Sequence, residues 1–174
     1  TALPGHDDGD VATQGVEVER KFLVDDVDAA LAGAEPGVHL MQGYLEQTGD
    51  QSVRIRCWAD DSRAVLTVKG PRSGMSRPEA ECEVSPEVAE LLLAACGGRV
   101  VDKTRHVLAA GDADGVQWIL DVFHGANTGL VLAEAELTRA DATIAPAPWC
   151  GRDVTEDDRY YNDHLSRRPF TTWS

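Results

Sequence analysis

Charged residues occupy alternate positions along several short segments of this chain. Glu17 and Glu19 are followed at the same interval by Lys21, and Glu134 and Glu136 repeat the acidic spacing. Because successive side chains of a β-strand point to opposite faces, each set would share one face of a strand. Carboxylates are hard oxygen ligands that suit Mg²⁺ or Mn²⁺, and Lys and Arg donate to phosphate oxygens. The pattern therefore predicts a site that binds phosphate groups together with a divalent metal.

The basic residues follow the same alternation. The chain has three lysines, and all of them fall on these charged faces together with four arginines. The cations of the set are Lys21, Arg54, Arg56, Lys69, Arg77, Lys103 and Arg105, and the acids are Glu17, Glu19, Glu79, Glu81, Asp121, Glu134 and Glu136. An antiparallel sheet with its charged face in water would explain any single strand. A solvated sheet normally scatters lysine, however, so the confined lysines favour a barrel with a polar interior.

Period-two alternation between turn signals predicts strands and few helices. Strands are expected near 16–24, 38–46, 52–59, 63–70, 77–84, 99–109, 115–123 and 130–138. Helices are expected over Asp25–Gly33, Ser85–Cys96 and Thr155–Ser166, each with a polar or acidic start. We predict a mainly β (α+β) fold, an eight-stranded antiparallel closed barrel that forms a tunnel, with a few peripheral helices.

Length and charge restrict the possible classes. With 174 residues we expect one domain over 16–166, a disordered leader over 1–15 and a C-terminal tail over 167–174. A net charge of −14 disfavours nucleic-acid and membrane binding, which need a basic surface. No apolar run is long enough to span a membrane and no signal-peptide pattern is present, so a cytoplasmic location is expected. The four cysteines lack metal-ligand spacing.

Seven cations and seven acids facing one interior sum to zero charge. Buried charges must be paired or ligated, and a polyphosphate bound with divalent metal would satisfy both sets. The acidic surplus then lies outside the interior, where it supports solubility.

The ordered motifs resemble the CYTH superfamily, the triphosphate tunnel metalloenzymes. Glu17-Val-Glu19-Arg-Lys21 resembles the ExExK signature of the family. The other motifs follow in the family's order: Gln42-Gly-Tyr44-Leu45, Val53-Arg54-Ile55-Arg56, Leu66-Thr67-Val68-Lys69-Gly70, Ser76-Arg77-Pro-Glu79-Ala-Glu81, Lys103-Thr104-Arg105, Leu120-Asp121-Val122-Phe123, Ala133-Glu134-Ala-Glu136 and Val154-Thr155-Glu156-Asp157. The resemblance runs from about residue 16 to 166 and is greatest to short bacterial members that hydrolyse inorganic triphosphate.

The resemblance implies residue roles. The metal ligands, for one or two Mg²⁺ or Mn²⁺ ions, would be Glu17, Glu19, Asp121, Glu134 and Glu136, and the phosphate ligands would be Arg54, Arg56, Lys69, Arg77, Lys103 and Arg105. Lys21 would lie near the scissile group, and Glu79 and Glu81 would orient arginines. The expected partner is a small-molecule polyphosphate, with no nucleic acid and no membrane, and the expected state is a monomer or homodimer.

Tyr44 is a further catalytic candidate, since it alternates with Gln42 on the inward face. A neighbouring Lys21 ammonium would favour the phenolate, which could assist deprotonation of water and give an alkaline optimum. The alternative role for Tyr44 is packing in the barrel wall, with its hydroxyl bonded to a strand neighbour.

Other functions remain open at this point. A thiamine or nucleoside triphosphatase, or a class IV adenylate cyclase, would share the triphosphate site and add a pocket for the organic group. A non-catalytic polyphosphate-binding module would keep the basic residues and lose the metal carboxylates.

Overall fold

The computed structural model describes residues 18–45, 51–59, 62–70, 79–108, 116–137 and 144–173. Within these ranges the chain forms nine strands, three α-helices and three short 3-10 helices. The strands are β1 (Val18–Val24), β2 (Val38–Tyr44), β3 (Ser52–Trp58), β4 (Ala64–Lys69), β5 (Glu79–Glu83), β6 (Val100–Val107), β7 (Gln117–Phe123), β8 (Val131–Leu137) and β9 (Cys150–Asp153). The helices are α1 (Val27–Leu31), α2 (Pro86–Ala95) and α3 (Asn162–Arg167), and the 3-10 helices are Gly125–Asn127, Asp158–Tyr160 and Phe170–Thr172.

All the strands belong to one antiparallel sheet, in the order β5-β4-β3-β2-β6-β7-β8-β1-β9. The mainly β antiparallel architecture with few helices is confirmed. The eight predicted strands all form, and the ninth, β9, adds to β1 beyond them. The two end strands, β5 and β9, do not pair with each other within the described ranges, so the backbone ladder there does not close on itself.

Two local differences from the sequence prediction have physical causes. Strand β9 has only four residues and follows a proline-rich stretch, 145–149, so it carries too little alternation to be detected. The helix expected over Thr155–Ser166 divides into a 3-10 helix and α3, because Tyr161 between them has extended backbone angles. The Tyr161 side chain therefore does not follow the helical spacing that the sequence predicts for this segment.

The other two helices begin as their sequences predict. The Asp26 side chain accepts a hydrogen bond of 3.0 Å from the Ala29 amide at the start of α1. The Ser85 hydroxyl accepts one of 3.4 Å from the Val88 amide, and Pro86 occupies the first turn of α2. These caps satisfy amides that have no partner within the helix. No helix in the described part of the chain is long and apolar enough to cross a membrane.

The strand register collects the charged residues on one face of the sheet, which we call the inner face. Lys21 lies opposite Glu134 and Arg105 lies opposite Asp121. Across the other half of the sheet, Tyr44 lies opposite Arg54, which in turn lies opposite Thr67. Directly opposite residues share a face, so the registers carry one polar surface from β1 to β5.

Apolar clusters hold this polar face in place. On the outer face, Phe22, Trp118 and Leu120 form a core beside α1, and Ile55 packs with Ala89 of α2. A third cluster contains Tyr44, Val101, Phe123, Leu132 and Leu165, so α3 packs on the sheet here. Phe170 and Trp173, from the segment expected as a tail, pack against the same cluster.

Gly43 of β2 lies close to Leu93 of α2 and to Cys96, the residue that follows this helix. A Cβ atom at Gly43 would lie 2.7 Å from the Cys96 sulfur and 3.0 Å from Leu93 Cδ2. We expect Gly43→Ala to lower the free energy of unfolding by about 1–3 kcal/mol through overpacking, measured by urea denaturation. Cys96→Ala, which removes the sulfur, should recover part of that loss in the double variant. Gly33→Ala is the matched control, because a Cβ there meets nothing within 4 Å; equal losses at both glycines would contradict this packing.

Candidate active site

A set of oppositely charged side chains is buried together on strands β1, β6, β7 and β8. The Lys21 ammonium lies 2.6 Å from Glu134 Oε1 and 2.8 Å from Glu19 Oε1. Lys103 Nζ lies 2.6 Å from Asp121 Oδ2. Relative exposures are only 3% for Lys21, 1% for Lys103, 0% for Asp121 and 4% for Glu134. This part of the inner face is therefore an interior, and the solvated-sheet interpretation does not hold here.

Arg105 joins these pairs into one network. Its Nε and Nη2 atoms donate to the two Asp121 oxygens at 2.7 Å each, and Nη2 also donates to Glu134 Oε2 at 2.9 Å. A continuous path thus runs from Glu19 through Lys21, Glu134, Arg105 and Asp121 to Lys103. Every one of these ions contacts at least one of opposite sign, which is what makes their burial tolerable.

The pKa values record the competition between burial and pairing. Burial alone would raise the pKa of the Asp121 carboxyl, but Lys103 and Arg105 hold it well below its usual range. Burial would lower the pKa of Lys21, yet Glu134 and Glu19 raise it above the ordinary value. For Lys103 burial outweighs the attraction of Asp121 and lowers the pKa to about 8. The pKa values of Asp121 and Glu134 are both lowered by the neighbouring cations, so these two buried carboxylates stay ionised.

The two arginines that β3 places on the inner face, Arg54 and Arg56, are less completely paired than the ions of this network. Arg54 donates to the Thr67 hydroxyl at 3.3 Å and lies 3.6 Å from Glu81, while its Nε is a buried atom with no hydrogen-bond partner in the described structure. Arg56 donates from Nε to the Gln42 carbonyl at 3.2 Å. Burial, reinforced by Arg54 and Arg105, lowers the pKa of Arg56 to about 10. Like charges are thus held near one another, and an anion between them would relieve the repulsion.

The acids of β5 contact basic side chains. Glu81 accepts from Thr67 at 2.6 Å beside Arg54, and Glu79 lies 2.9 Å from Lys69. These contacts are what an arginine- or lysine-orienting role requires. Glu136 is exposed and lies opposite Glu19 in the β1–β8 register. Glu17 and Arg77, which the sequence analysis places in the site, lie outside the described residues.

Tyr44 is buried and does not pair with Lys21 as the sequence hypothesis expects. Its ring packs in the cluster with Val101 and Phe123, and its hydroxyl accepts a hydrogen bond from the Gln42 amide. Lys21 instead lies between Glu19 and Glu134. Burial raises the pKa of Tyr44 to about 12, so the phenol keeps its proton in this arrangement. The alternative of wall packing with a strand-neighbour hydrogen bond describes this geometry.

Three side chains outside the predicted set of site residues also reach the inner face. Thr67 bridges Arg54 and Glu81. It lies two residues before Lys69 and therefore on the same strand face, so the strand alternation predicts that it faces the site. Asn162 of α3 accepts from Lys103 Nζ at 3.3 Å, and the Tyr161 ring centre lies 5.5 Å from Lys21 Nζ. No strand periodicity could place the last two, because they enter from the segment around α3.

The acidic groups suit a divalent ion by their chemistry. Glu19 and Glu134 already converge on one cationic centre, the Lys21 ammonium, which acts as a stand-in ion between two carboxylates on adjacent strands. Glu19 also lines an open cavity of about 680 Å³ with Arg20, Asp153 and Glu156. Within the described ranges no three acidic, His or Cys groups form a ready-made metal cluster. Cationic side chains must therefore move aside before these carboxylates can share an ion.

Asp121 neutralises two buried cations, and its removal should be costly. We expect Asp121→Asn to lower the free energy of unfolding by about 3–5 kcal/mol, because Lys103 and Arg105 would keep their charges without this partner. Urea denaturation at pH 7 in EDTA measures the loss. Glu90→Gln, on the exposed side of α2, is the control and should change stability by less than about 0.5 kcal/mol. Similar stabilities for the two variants would refute the neutralising role.

Comparison with known proteins gives a consistent result. The family model for the CYTH domain matches residues 15–164. An inorganic triphosphatase of Acetivibrio thermocellus is 40% identical over 158 residues, which cover 90% of this chain and 96% of the relative. An inorganic triphosphatase of Nitrosomonas europaea is 39% identical over 152 residues, covering 86% and 96%.

A solved structure shares the fold as well. The crystal structure of an inorganic triphosphatase superposes with a TM-score of 0.66 at 36% identity and covers 86% of this chain and 97% of its own. The family match spans most of the chain, including every strand from β1 to β9. By this match and by its relatives, the chain belongs to the CYTH domain family.

Proposed function

We propose that this protein is a metal-dependent hydrolase that cleaves the terminal phosphoanhydride bond of inorganic triphosphate, producing pyrophosphate and phosphate. Two relatives at about 40% identity over most of both chains carry the name inorganic triphosphatase. The observation that carries the proposal is the incompletely paired positive charge of Arg54 and Arg56, placed beside a buried network of carboxylates and cations. A compact polyanion would pair with the arginines, and its divalent counter-ion would pair with the carboxylates.

In this proposal the phosphate chain lies along the inner face. Its ligands are Arg54, Arg56, Lys69, Lys103 and Arg105, with Arg77 as a sixth candidate. Arg54 and Arg56 follow each other on one strand face, so two guanidinium groups can bind successive phosphates. Lys69 and Arg54 already have acidic partners, Glu79 and Glu81, that restrict their side chains. Prepositioned cations of this kind stabilise charge that develops during phosphoryl transfer.

The metal ligands in this proposal are Glu19, Asp121, Glu134 and Glu136, with Glu17 as a fifth candidate, and the ion is Mg²⁺ or Mn²⁺, one or two in number. Bound there, such an ion would neutralise phosphate charge and lower the pKa of the attacking water. Lys21 is the candidate to contact the terminal phosphate, because its ammonium lies between Glu19 and Glu134. Metal binding to Asp121 would release Lys103 and Arg105 from this carboxylate, so that both can turn to phosphate oxygens.

The proposal also covers the partners, the location and the oligomeric state of the enzyme. The substrate is a small molecule, neither nucleic acid nor a membrane is a partner, and the protein acts in the cytoplasm as a monomer or homodimer. The net charge of −14 supports the absence of nucleic-acid and membrane partners, because an acidic exterior repels polyanionic surfaces. Divalent ions would turn the neutral interior positive and so favour a small polyphosphate there.

Phosphate release is the direct test of the activity. We expect rapid release from tripolyphosphate with Mg²⁺ or Mn²⁺, much slower release from ATP and thiamine triphosphate, and none in EDTA. Preference for ATP with formation of cyclic AMP would overturn the proposal in favour of a cyclase. Micromolar binding of tripolyphosphate without turnover at any pH or metal would establish a binding module instead.

Arg54 tests the phosphate-binding half of the site. We expect Arg54→Met to raise the KM for tripolyphosphate about tenfold or more, since a charge-assisted hydrogen bond to phosphate is lost. Steady-state kinetics measure the change. Arg99→Met is the matched control, because Arg99 bonds the Cys96 carbonyl at the end of α2 and should leave KM unchanged. An unaltered KM for Arg54→Met would remove Arg54 from the substrate site.

A further inference from the structure

We propose that Gln42 is a positioning residue that fixes the Arg56 guanidinium and turns the hydroxyl proton of Tyr44 towards the bound phosphate chain. Tyr44 then contacts substrate as a neutral hydrogen-bond donor. This inference rests on the proposed function, because it requires a phosphate ligand on the inner face.

Gln42 links two inner-face side chains on neighbouring strands. It is only 1% exposed and lies opposite Arg56 in the β2–β3 register. Its carbonyl oxygen accepts from Arg56 Nε at 3.2 Å, and its amide nitrogen bonds the Tyr44 hydroxyl two residues further along β2. A buried amide with both ends engaged is held in a single orientation.

The direction of each hydrogen bond follows from the groups involved. A guanidinium has donors and no acceptor, so the carbonyl end of Gln42 must face Arg56. The amide nitrogen therefore faces Tyr44, and because an amide nitrogen only donates, the Tyr44 oxygen must accept. The proton of Tyr44 is then left for a different acceptor.

The surroundings of Tyr44 favour an anionic acceptor. Arg54 lies opposite it on β3, and Arg54 and Arg56 exert positive potential on it, while Asp163 of α3 is the acidic group that acts on it. In the described structure no side chain or backbone group accepts a hydrogen bond from the Tyr44 hydroxyl. The Arg54 Nε atom is likewise buried without a partner. The Tyr44 hydroxyl and the Arg54 Nε are thus two donors without an acceptor, at opposite positions on β2 and β3. A phosphate oxygen is an acceptor suited to both.

The protonation state agrees with this role. Burial raises the pKa of Tyr44 to about 12, although Arg54 and the Gln42 hydrogen bond act in the opposite direction. A group whose pKa lies that high keeps its proton from pH 7 to pH 10, so its contribution to phosphate binding should be constant over that range. A group that ionises in this range would instead lose its contribution as the pH rises, because a phenolate has no proton to donate and repels the anion.

A double-mutant cycle tests the coupling between the two residues. The probe is inorganic tripolyphosphate in EDTA, and its Kd is measured by calorimetry between pH 7 and pH 10, so the result does not depend on turnover. Tyr44→Phe should raise the Kd about tenfold at every pH, through loss of a hydrogen bond to a charged oxygen. In a Gln42→Glu background the carboxylate can only accept, so it captures the Tyr44 proton, and Tyr44→Phe should then change the Kd less than twofold.

Two further variants keep the test decisive if Gln42→Glu does not fold. Gln42→Met, similar in length, removes the donor that orients the hydroxyl, and should reduce the effect of Tyr44→Phe to below threefold. Gln117→Met is the matched control, because Gln117, at the start of β7, donates to the Leu108 carbonyl. The tenfold effect of Tyr44→Phe should persist in that background. Thermal unfolding establishes that each variant is folded.

The outcomes separate the two proposals. Equal effects of Tyr44→Phe in the wild-type and Gln42 backgrounds, or no effect in the wild type, would overturn the positioning role. An effect that shrinks or reverses from pH 7 to pH 10 would show that the phenol ionises to a phenolate, which cannot donate to phosphate, and would overturn it also. Absence of tripolyphosphate hydrolysis, with the coupling in Kd intact, would overturn the hydrolase function and leave the role of Gln42 standing.

Discussion

The mutual neutralisation of buried charges is the constraint on which the rest of this structure depends. Lys21, Lys103, Asp121 and Glu134 are almost without solvent contact, and Arg105 joins them. None of these ions could be buried singly, because leaving water costs several kcal/mol per charge. Antiparallel strands solve the problem by register, since Lys21 faces Glu134 and Arg105 faces Asp121 across neighbouring strands.

The neutralisation is uneven, and the unevenness has functional consequences. Strands β1 and β6 to β8 carry a closed network of pairs, whereas β3 presents Arg54 and Arg56 with incomplete partners. The positive charge of β3 therefore favours an anion there, whereas the ions of the other network already balance one another. The aromatic and aliphatic cluster beneath α3 surrounds Tyr44 and lowers the local polarity, which strengthens these interactions.

Much of this arrangement could be predicted because strand alternation is a local property. The eight strands, the shared face of Arg54 with Arg56, and the burial of a charged surface all follow from period two and from the confinement of lysine. The pairing of Lys21 could not be predicted, because its ammonium can reach several strands and the partner is decided by packing. Sequence reasoning placed it beside Tyr44, while the structure surrounds it with Glu19 and Glu134. Strand β9 and the interruption at Tyr161 were too short to leave a periodic signal.

Side-chain direction along a strand depends only on position, so the amino-acid order alone establishes which residues share a face. The sequence also predicts that a protein of net charge −14 encloses a separate set of basic and acidic side chains. The motifs of the family are likewise present in the sequence. The partners of the opposite charges are known from the folded structure and not from the sequence. The same is true of the Gln42–Tyr44 and Lys103–Asn162 hydrogen bonds. Those contacts join residues far apart in the chain or depend on burial, and distance and dielectric environment are set by the packed fold.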